Sequence, residues 1–145
     1  MKIIFLDIDG VLNSERSVEA QYDDKFKHNV YGPAYFDPLA IKLIEKLVIE
    51  TDSKIVISSS WRIGRVIADF DFLPQVVGLT TTQHLGIRGH QIQHYIDDNE
   101  IERYVIIDDD SDMLEHQKDF FVHVNGMNGF SVENFYDARS ILKGN

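Results

Sequence analysis

At 145 residues, with 43% hydrophobic and 26% charged side chains, the chain reads as one soluble globular domain, residues 1–145, able to bury roughly two-thirds of its unfolded surface. No apolar stretch is long enough to cross a bilayer, and the absence of cysteine excludes disulfides and thiolate metal sites, as suits a cytoplasmic protein. A net charge of −10, from 14 Lys+Arg against 24 Asp+Glu, argues against a broad basic surface for duplex nucleic acid but leaves room for a local basic patch beside a metal.

Lys2 to Leu6 predicts the first strand. It runs directly into charge, which a secretion signal does not do. Asn13 to Phe36 has no clear period and contains Gly32-Pro33, so it reads as a long loop with some local structure. Asp37-Pro38 marks a helix start, with Asp37 as N-cap and Pro38 at the first helical position. The apolar residues that follow recur on a 3.6-residue period to about Glu50. Lys54 to Ile57 predicts a second strand, Trp61 to Phe70 a helix, and Val76 to Leu79 a third strand. His90 to Asp98 predicts another helix and Tyr104 to Ile107 a fourth strand. A short helix over Met113–Gln117 precedes a fifth strand, Phe120 to Val124. Ser131 caps a last helix to about Leu142, with Gly144 beyond it; its Phe135 and Tyr136 are expected in the core. Apolar strands alternating with helices imply an α/β fold, a mostly parallel five-stranded sheet with helices on both faces.

In such sheets ligands bind beyond the carboxyl ends of the strands, and three of those ends are conspicuously polar. The first is Asp7-Ile8-Asp9-Gly10. Side chains alternate along a strand, so Asp7 and Asp9 fall near one another. Like charges that close are costly unless a cation sits between them, and Gly10 permits backbone geometry that a side chain resists. The second strand ends in Ser58-Ser59-Ser60 and the fourth in Asp108-Asp109-Asp110. A parallel sheet brings all three to one edge. The economical reading is a metal-dependent site in which one Asp attacks and the other handles a proton.

Asp7-Ile8-Asp9-Gly10-Val11-Leu12 resembles the first motif of the haloacid dehalogenase-like (HAD) phosphatases. Ser58, Arg88 and the Asp108-Asp109 pair stand in the order of the other three motifs. The resemblance implies a three-layer Rossmann-like fold and Mg²⁺-dependent phosphotransfer through an aspartyl-phosphate. On that reading Asp7 is the nucleophile and Asp9 the acid/base, with a main-chain carbonyl on the metal. Asp108 and Asp109 complete the Mg²⁺ ligands. Ser58 binds a phosphoryl oxygen, and Arg88 offsets the growing equatorial charge. The residue types make sense independently, because a dianionic ester repels a carboxylate nucleophile until its charge is neutralised. Mg²⁺ also prefers oxygen ligands.

Each assignment has a plainer rival. Ser58, Ser59 or Ser60 could cap the following helix. Arg88 could be a solvated loop cation, with Lys54 or Arg62 in its role. Asp110 and Asp112 suit caps of the next helix, with Asp112 also a candidate for a second layer around the site. His90 and His94 have the i, i+4 spacing of a zinc pair but lack a third ligand.

HAD enzymes of small metabolites often carry a cap domain; here the slot after the first motif holds only residues 13–37, so the site is minimally capped. An open site suits a phosphate carried on a large substrate. The 13–37 flap interleaves Arg16, Lys25, Lys27 and His28 with Tyr22, Phe26, Tyr31 and Tyr35, a pattern that can hold phosphates and stack bases. Ser58-Ser59-Ser60-Trp61-Arg62 with Arg88-Gly89-His90-Gln91-Ile92 resembles the small HAD domains of RNA-repair proteins. More distantly it is similar to the 3′-phosphatase half of polynucleotide kinase–phosphatases. That resemblance implies a 3′-phosphatase of an RNA or DNA end, with Ser59 and Arg62 as further substrate contacts. The alternatives are a phosphatase of a small ester, such as a nucleotide or sugar phosphate, and a binding module without turnover.

Overall fold

The computed structural model describes residues 1–21 and 36–144. The flap residues Tyr22, Lys25, Phe26, Lys27, His28, Tyr31 and Tyr35 lie outside them. Strand β1 (Lys2–Leu6) occupies the middle of the sheet because Ile3, Ile4, Phe5 and Leu6 all bury completely, which only a strand covered on both faces allows. It pairs in parallel with β2 (Ser53–Ile57) on one side and β4 (Arg103–Asp108) on the other. Outside these lie β3 (Val76–Leu79) and β5 (Phe121–His123), giving the order β3-β2-β1-β4-β5 with every pair parallel.

Successive side chains of β1 point to opposite faces and so feed two cores. Ile4 and Leu6 pack in one core with Leu43, Ile44 and Leu47 of α2 (Pro38–Thr51) and with Phe135, Ala138 and Leu142 of α4 (Val132–Lys143). Ile3 and Phe5 pack in the other with Val56, Ile106 and Ile92 of α3 (Arg88–Asp98). Each fully buried side chain of this kind contributes roughly 1.5–3 kcal/mol. A central strand of four therefore tolerates costly polar groups at its end. The helix ends follow their sequence signals: the Asp37 carboxylate accepts from the Leu39 N–H at 2.9 Å, Ser131 accepts from Asn134 N–H, and Gly144 closes α4 at φ 76°.

The register aligns the polar strand ends. Leu6 lies opposite both Ile57 and Ile107, so the next residues, Asp7, Ser58 and Asp108, stand side by side. The ladder continues through them: Asp7 N–H donates to Ile107 O and Ser58 N–H to Leu6 O, each at 3.0 Å.

The local structure expected within residues 13–36 includes a helix: Glu15–Gln21 form α1, started by reciprocal bonds in which the Ser14 and Ser17 hydroxyls accept each other's main-chain N–H. Three other local expectations need correction. Trp61–Phe70 is not one helix but two short 3₁₀ turns, Ser60–Arg62 and Ile67–Phe70. Gly64 between them takes φ +72°, which a helix cannot contain. The short helix after β4 is a 3₁₀ segment shifted to Glu115–Phe120. Tyr136 is 53% exposed while Phe135 is buried, because neighbours on a helix point about 100° apart; the Arg139 guanidinium lies over the Tyr136 ring. Among the described residues no helix is long and apolar enough to cross a membrane.

Candidate active site

Asp7, Asp108 and Asp109 each offer one carboxylate oxygen, and these three atoms lie within 4.8 Å of one another. Asp7 is 5% exposed and Asp108 fully buried. Burial, followed by the neighbouring Asp108 carboxylate, pushes the Asp7 carboxyl up to about 8. Burial likewise raises Asp108, to about 6. Carboxyl groups held this way resist ionising together and attract cations. Arg88 answers them from the first turn of α3: one Nη1 sits 2.6 Å from Asp108 Oδ2 and 3.0 Å from Asp7 Oδ1. Those contacts, working against burial, push the guanidinium's pKa further up.

A close approach seats Asp109. Gly10 adopts φ +82°, and a Cβ built there would lie 2.2 Å from Asp109 Oδ2. Only glycine can turn the chain here and leave space for that carboxylate. Three acidic oxygens converging on a recess kept open by a glycine fit a hard divalent cation with oxygen ligands; Asp7, Asp108 and Asp109 are the residues that would hold it.

Asp9 is held apart from this cluster. Its Oδ2 accepts from the Trp61 indole Nε1 and its Oδ1 from Asn13 Nδ2, both at 3.0 Å. Asn13 in turn accepts the Gly10 N–H through Oδ1 at 2.9 Å, so one amide folds the loop and holds the carboxylate. A cleft of about 320 Å³ opens here, lined by Asp9, Gly10, Asn13, Glu15, Asp109 and Gly126 among others.

The serine-rich end of β2 divides its work. The Ser58 hydroxyl is fully buried and has no hydrogen-bond partner, an arrangement that costs free energy unless a ligand supplies the missing bond. Ser59 accepts from Trp61 N–H at 3.2 Å and so caps the 3₁₀ turn. Arg62, expected to clamp a phosphate, instead donates to main-chain carbonyls: Nη1 to Ser58 and Ser59, Nε to Thr80 and Thr81, and Nη2 to Thr81. It is 4% exposed and braces the end of β2 against the end of β3, because a rigid five-donor fork can satisfy several carbonyls at once. Lys54 is exposed and pairs with Ile3 near the opposite end of the sheet, away from the carboxylates.

Around the β4 end, Asp110 N–H donates to Asp108 Oδ1 at 2.9 Å. Asp112 caps α3 from a distant stretch of chain. Its Oδ2 accepts Arg88 N–H and its main-chain oxygen accepts Gly89 N–H, both at 3.1 Å. His90 is exposed, His94 is paired with Asp98, and neither joins a metal-ligating cluster among the described residues. Sequence reasoning missed the contacts of Trp61 and Asn13 with Asp9. The Asp9–Asn13 spacing carried a signal, since Asn folds short loops by bonding nearby backbone. Trp61 lies 52 positions from Asp9 and carried none.

A family model described as "HAD domain in Swiss Army Knife RNA repair proteins" matches residues 3–135. No curated protein and no solved structure matches the chain significantly.

Proposed function

The chain belongs to the HAD domains of Swiss Army Knife RNA repair proteins, and on that footing we propose that it is a Mg²⁺-dependent phosphatase of a phosphorylated nucleic-acid 3′ end. The observation that carries the reading is the juxtaposition of the Asp7–Asp108–Asp109 cluster with Arg88 and the partnerless Ser58 hydroxyl at one sheet edge.

A carboxylate oxygen of Asp7 attacks phosphorus. As the new O–P bond forms, the ester P–O bond breaks and the leaving oxygen takes a proton from Asp9. A water then attacks phosphorus and gives its proton to Asp9, the bond to Asp7 breaks, and inorganic phosphate leaves. The Ser58 hydroxyl donates to a phosphoryl oxygen, which satisfies its buried oxygen. Arg88 offsets charge on the equatorial oxygens. Asp7, Asp108 and Asp109 would hold Mg²⁺, which would supply the charge neutralisation that lets an anionic nucleophile approach an anionic ester; the family resemblance would add the Asp9 main-chain carbonyl to that set. Ser59 and Arg62 act indirectly in this scheme, by holding the loop that carries Ser58.

The family's repair context supports a polynucleotide end as substrate, and a net charge of −10 restricts recognition to a few contacts beside the phosphate. Arg65 is exposed and lies over the Trp61 ring, next to Asp9, where a strand leaving the site can meet a cation. The test is a competition among oligonucleotides bearing 3′- or 5′-phosphate, mononucleotides, sugar phosphates and phosphopeptides, with and without Mg²⁺. Preference for the 3′-phosphorylated oligonucleotide, abolished by chelation, is expected. Preference for a mononucleotide or sugar phosphate overturns the end-processing reading in favour of a small ester.

A further inference from the structure

We propose that Trp61 and Asn13 are positioning residues that hold the Asp9 carboxylate in one orientation through both halves of the reaction. The proposal rests on the phosphatase reading above. Each oxygen of Asp9 takes one N–H, from opposite sides of the sequence: Trp61 Nε1 on Oδ2 and Asn13 Nδ2 on Oδ1. Two donors on one carboxylate fix its plane as well as its position, which a single bond does not. An acid/base that must face the leaving oxygen and then the incoming water gains from that restriction, because proton transfer depends on short, aligned approach.

The donors are themselves immobilised. Asn13 is 5% exposed and is tied to Gly10 through its other amide atom. The Trp61 ring packs against Phe36, with centroids 5.5 Å apart, and the Arg65 guanidinium lies 4.8 Å from the ring centroid. The main chain of Trp61 is capped by Ser59, and Arg62 anchors the Ser58 and Ser59 carbonyls. One braced segment, 58–62, thus carries both the free Ser58 hydroxyl and the donor to Asp9. Phosphate contact and proton donor are set in a common frame.

Two substitutions remove the donors with little change in shape. Trp61→Phe keeps a packed ring without the N–H. Asn13→Asp keeps the acceptor for Gly10 but replaces the donor with an oxygen that opposes Asp9, and it tests the proposal if Trp61→Phe fails to fold. The probes are dinitrophenyl phosphate, whose leaving group needs no proton, and a 3′-phosphorylated oligonucleotide, whose leaving group does. With the oligonucleotide, kcat is expected to fall roughly 10–100-fold with KM unchanged. With dinitrophenyl phosphate, one equivalent of dinitrophenolate is expected in a burst, followed by slow turnover as water attack becomes limiting. Trp61 is the only tryptophan of the chain, so its fluorescence reports the contact directly; Asp9→Ala is expected to change it. Wild-type kcat on the oligonucleotide in both variants, while Asp9→Asn is inactive, overturns the positioning role and leaves the phosphatase reading standing. Full activity of Asp9→Asn overturns instead the acid/base assignment beneath it.

Discussion

The two strand ends that flank β1 in this sheet are built on opposite principles. At the end of β2, residues 58–62 are locked by neutral and charge-assisted hydrogen bonds: Ser59 caps, Arg62 ties four carbonyls, and of the buried side-chain groups here only the Ser58 hydroxyl is left without a partner. At the end of β4, residues 108–109 meet Asp7 in a cluster of mutually repelling carboxylates whose main protein counter-ion is Arg88. The first end is a finished scaffold with one open bond. The second gathers three carboxylates, two of them paired with one guanidinium, a set that could hold a metal ion. A site of this kind separates the groups that hold geometry from those that carry charge, so substitutions in the two regions are expected to move stability and activity in different directions.

The largest contrast should come from Asp7→Asn. Loss of the proposed nucleophile is expected to cut turnover on the order of 10⁴-fold or more. The same change should stabilise the metal-free protein at pH 8, because a buried charge is removed. Retained Mg²⁺-dependent hydrolysis would remove Asp7 from its role.

The pH dependence of metal-free stability sharpens the same point. A carboxyl raised on folding is protonated more readily in the native state. Its contribution is fully present below the unfolded value near pH 4 and is lost as pH rises through the folded value. For Asp108 and Asp7 those folded values are about 6 and about 8. In chelator, Tm should therefore fall between about pH 4 and pH 8, and Mg²⁺ should restore it more at pH 8 than at pH 5. A flat or rising profile breaks the account of the β4 end.

Arg62→Ala tests the scaffold end. Removing the fork strands the buried carbonyls of Ser58 and Thr80 and should cost roughly 2–4 kcal/mol of stability, equally with and without Mg²⁺. A normal Tm, or destabilisation confined to the Mg²⁺-bound state, would mean that the brace is not structural.

The smallest effect is expected at Ser58, where the two signs oppose. Ser58→Ala should lower kcat/KM about 10–100-fold while raising Tm by an amount corresponding to about 1 kcal/mol, since an unpaired buried hydroxyl is removed. Thermal melts beside steady-state kinetics check both; a drop in Tm would indicate that the hydroxyl has a structural partner after all.

Much of this could be read from the chain because its signals are local. Apolar runs marked all five strands, and Asp37-Pro38, Ser131 and Gly144 marked helix ends through contacts spanning only a few residues. Other elements resisted for identifiable reasons. The Trp61–Phe70 stretch has a helix-compatible pattern, but Gly64 and the pull of Arg62 on distant carbonyls break it into two 3₁₀ turns. Arg62 looked like a phosphate ligand because its sequence neighbourhood does not reveal the Thr80 and Thr81 carbonyls beside it. Asp112, which looked like a cap for the helix after it, caps α3 before it.

The sequence by itself determined which chemistry-bearing residues close each strand, since side-chain alternation and apolar runs are properties of short segments. It also implied that a parallel sheet gathers those ends on one edge. Only the tertiary structure decided what holds each of them: Arg88 across Asp7 and Asp108, Gly10 opening room for Asp109, and Trp61 with Asn13 on Asp9. The physical reason is that a hydrogen bond is fixed by distance and angle in space, and partners such as Trp61 and Asp9 are 52 residues apart until the sheet closes.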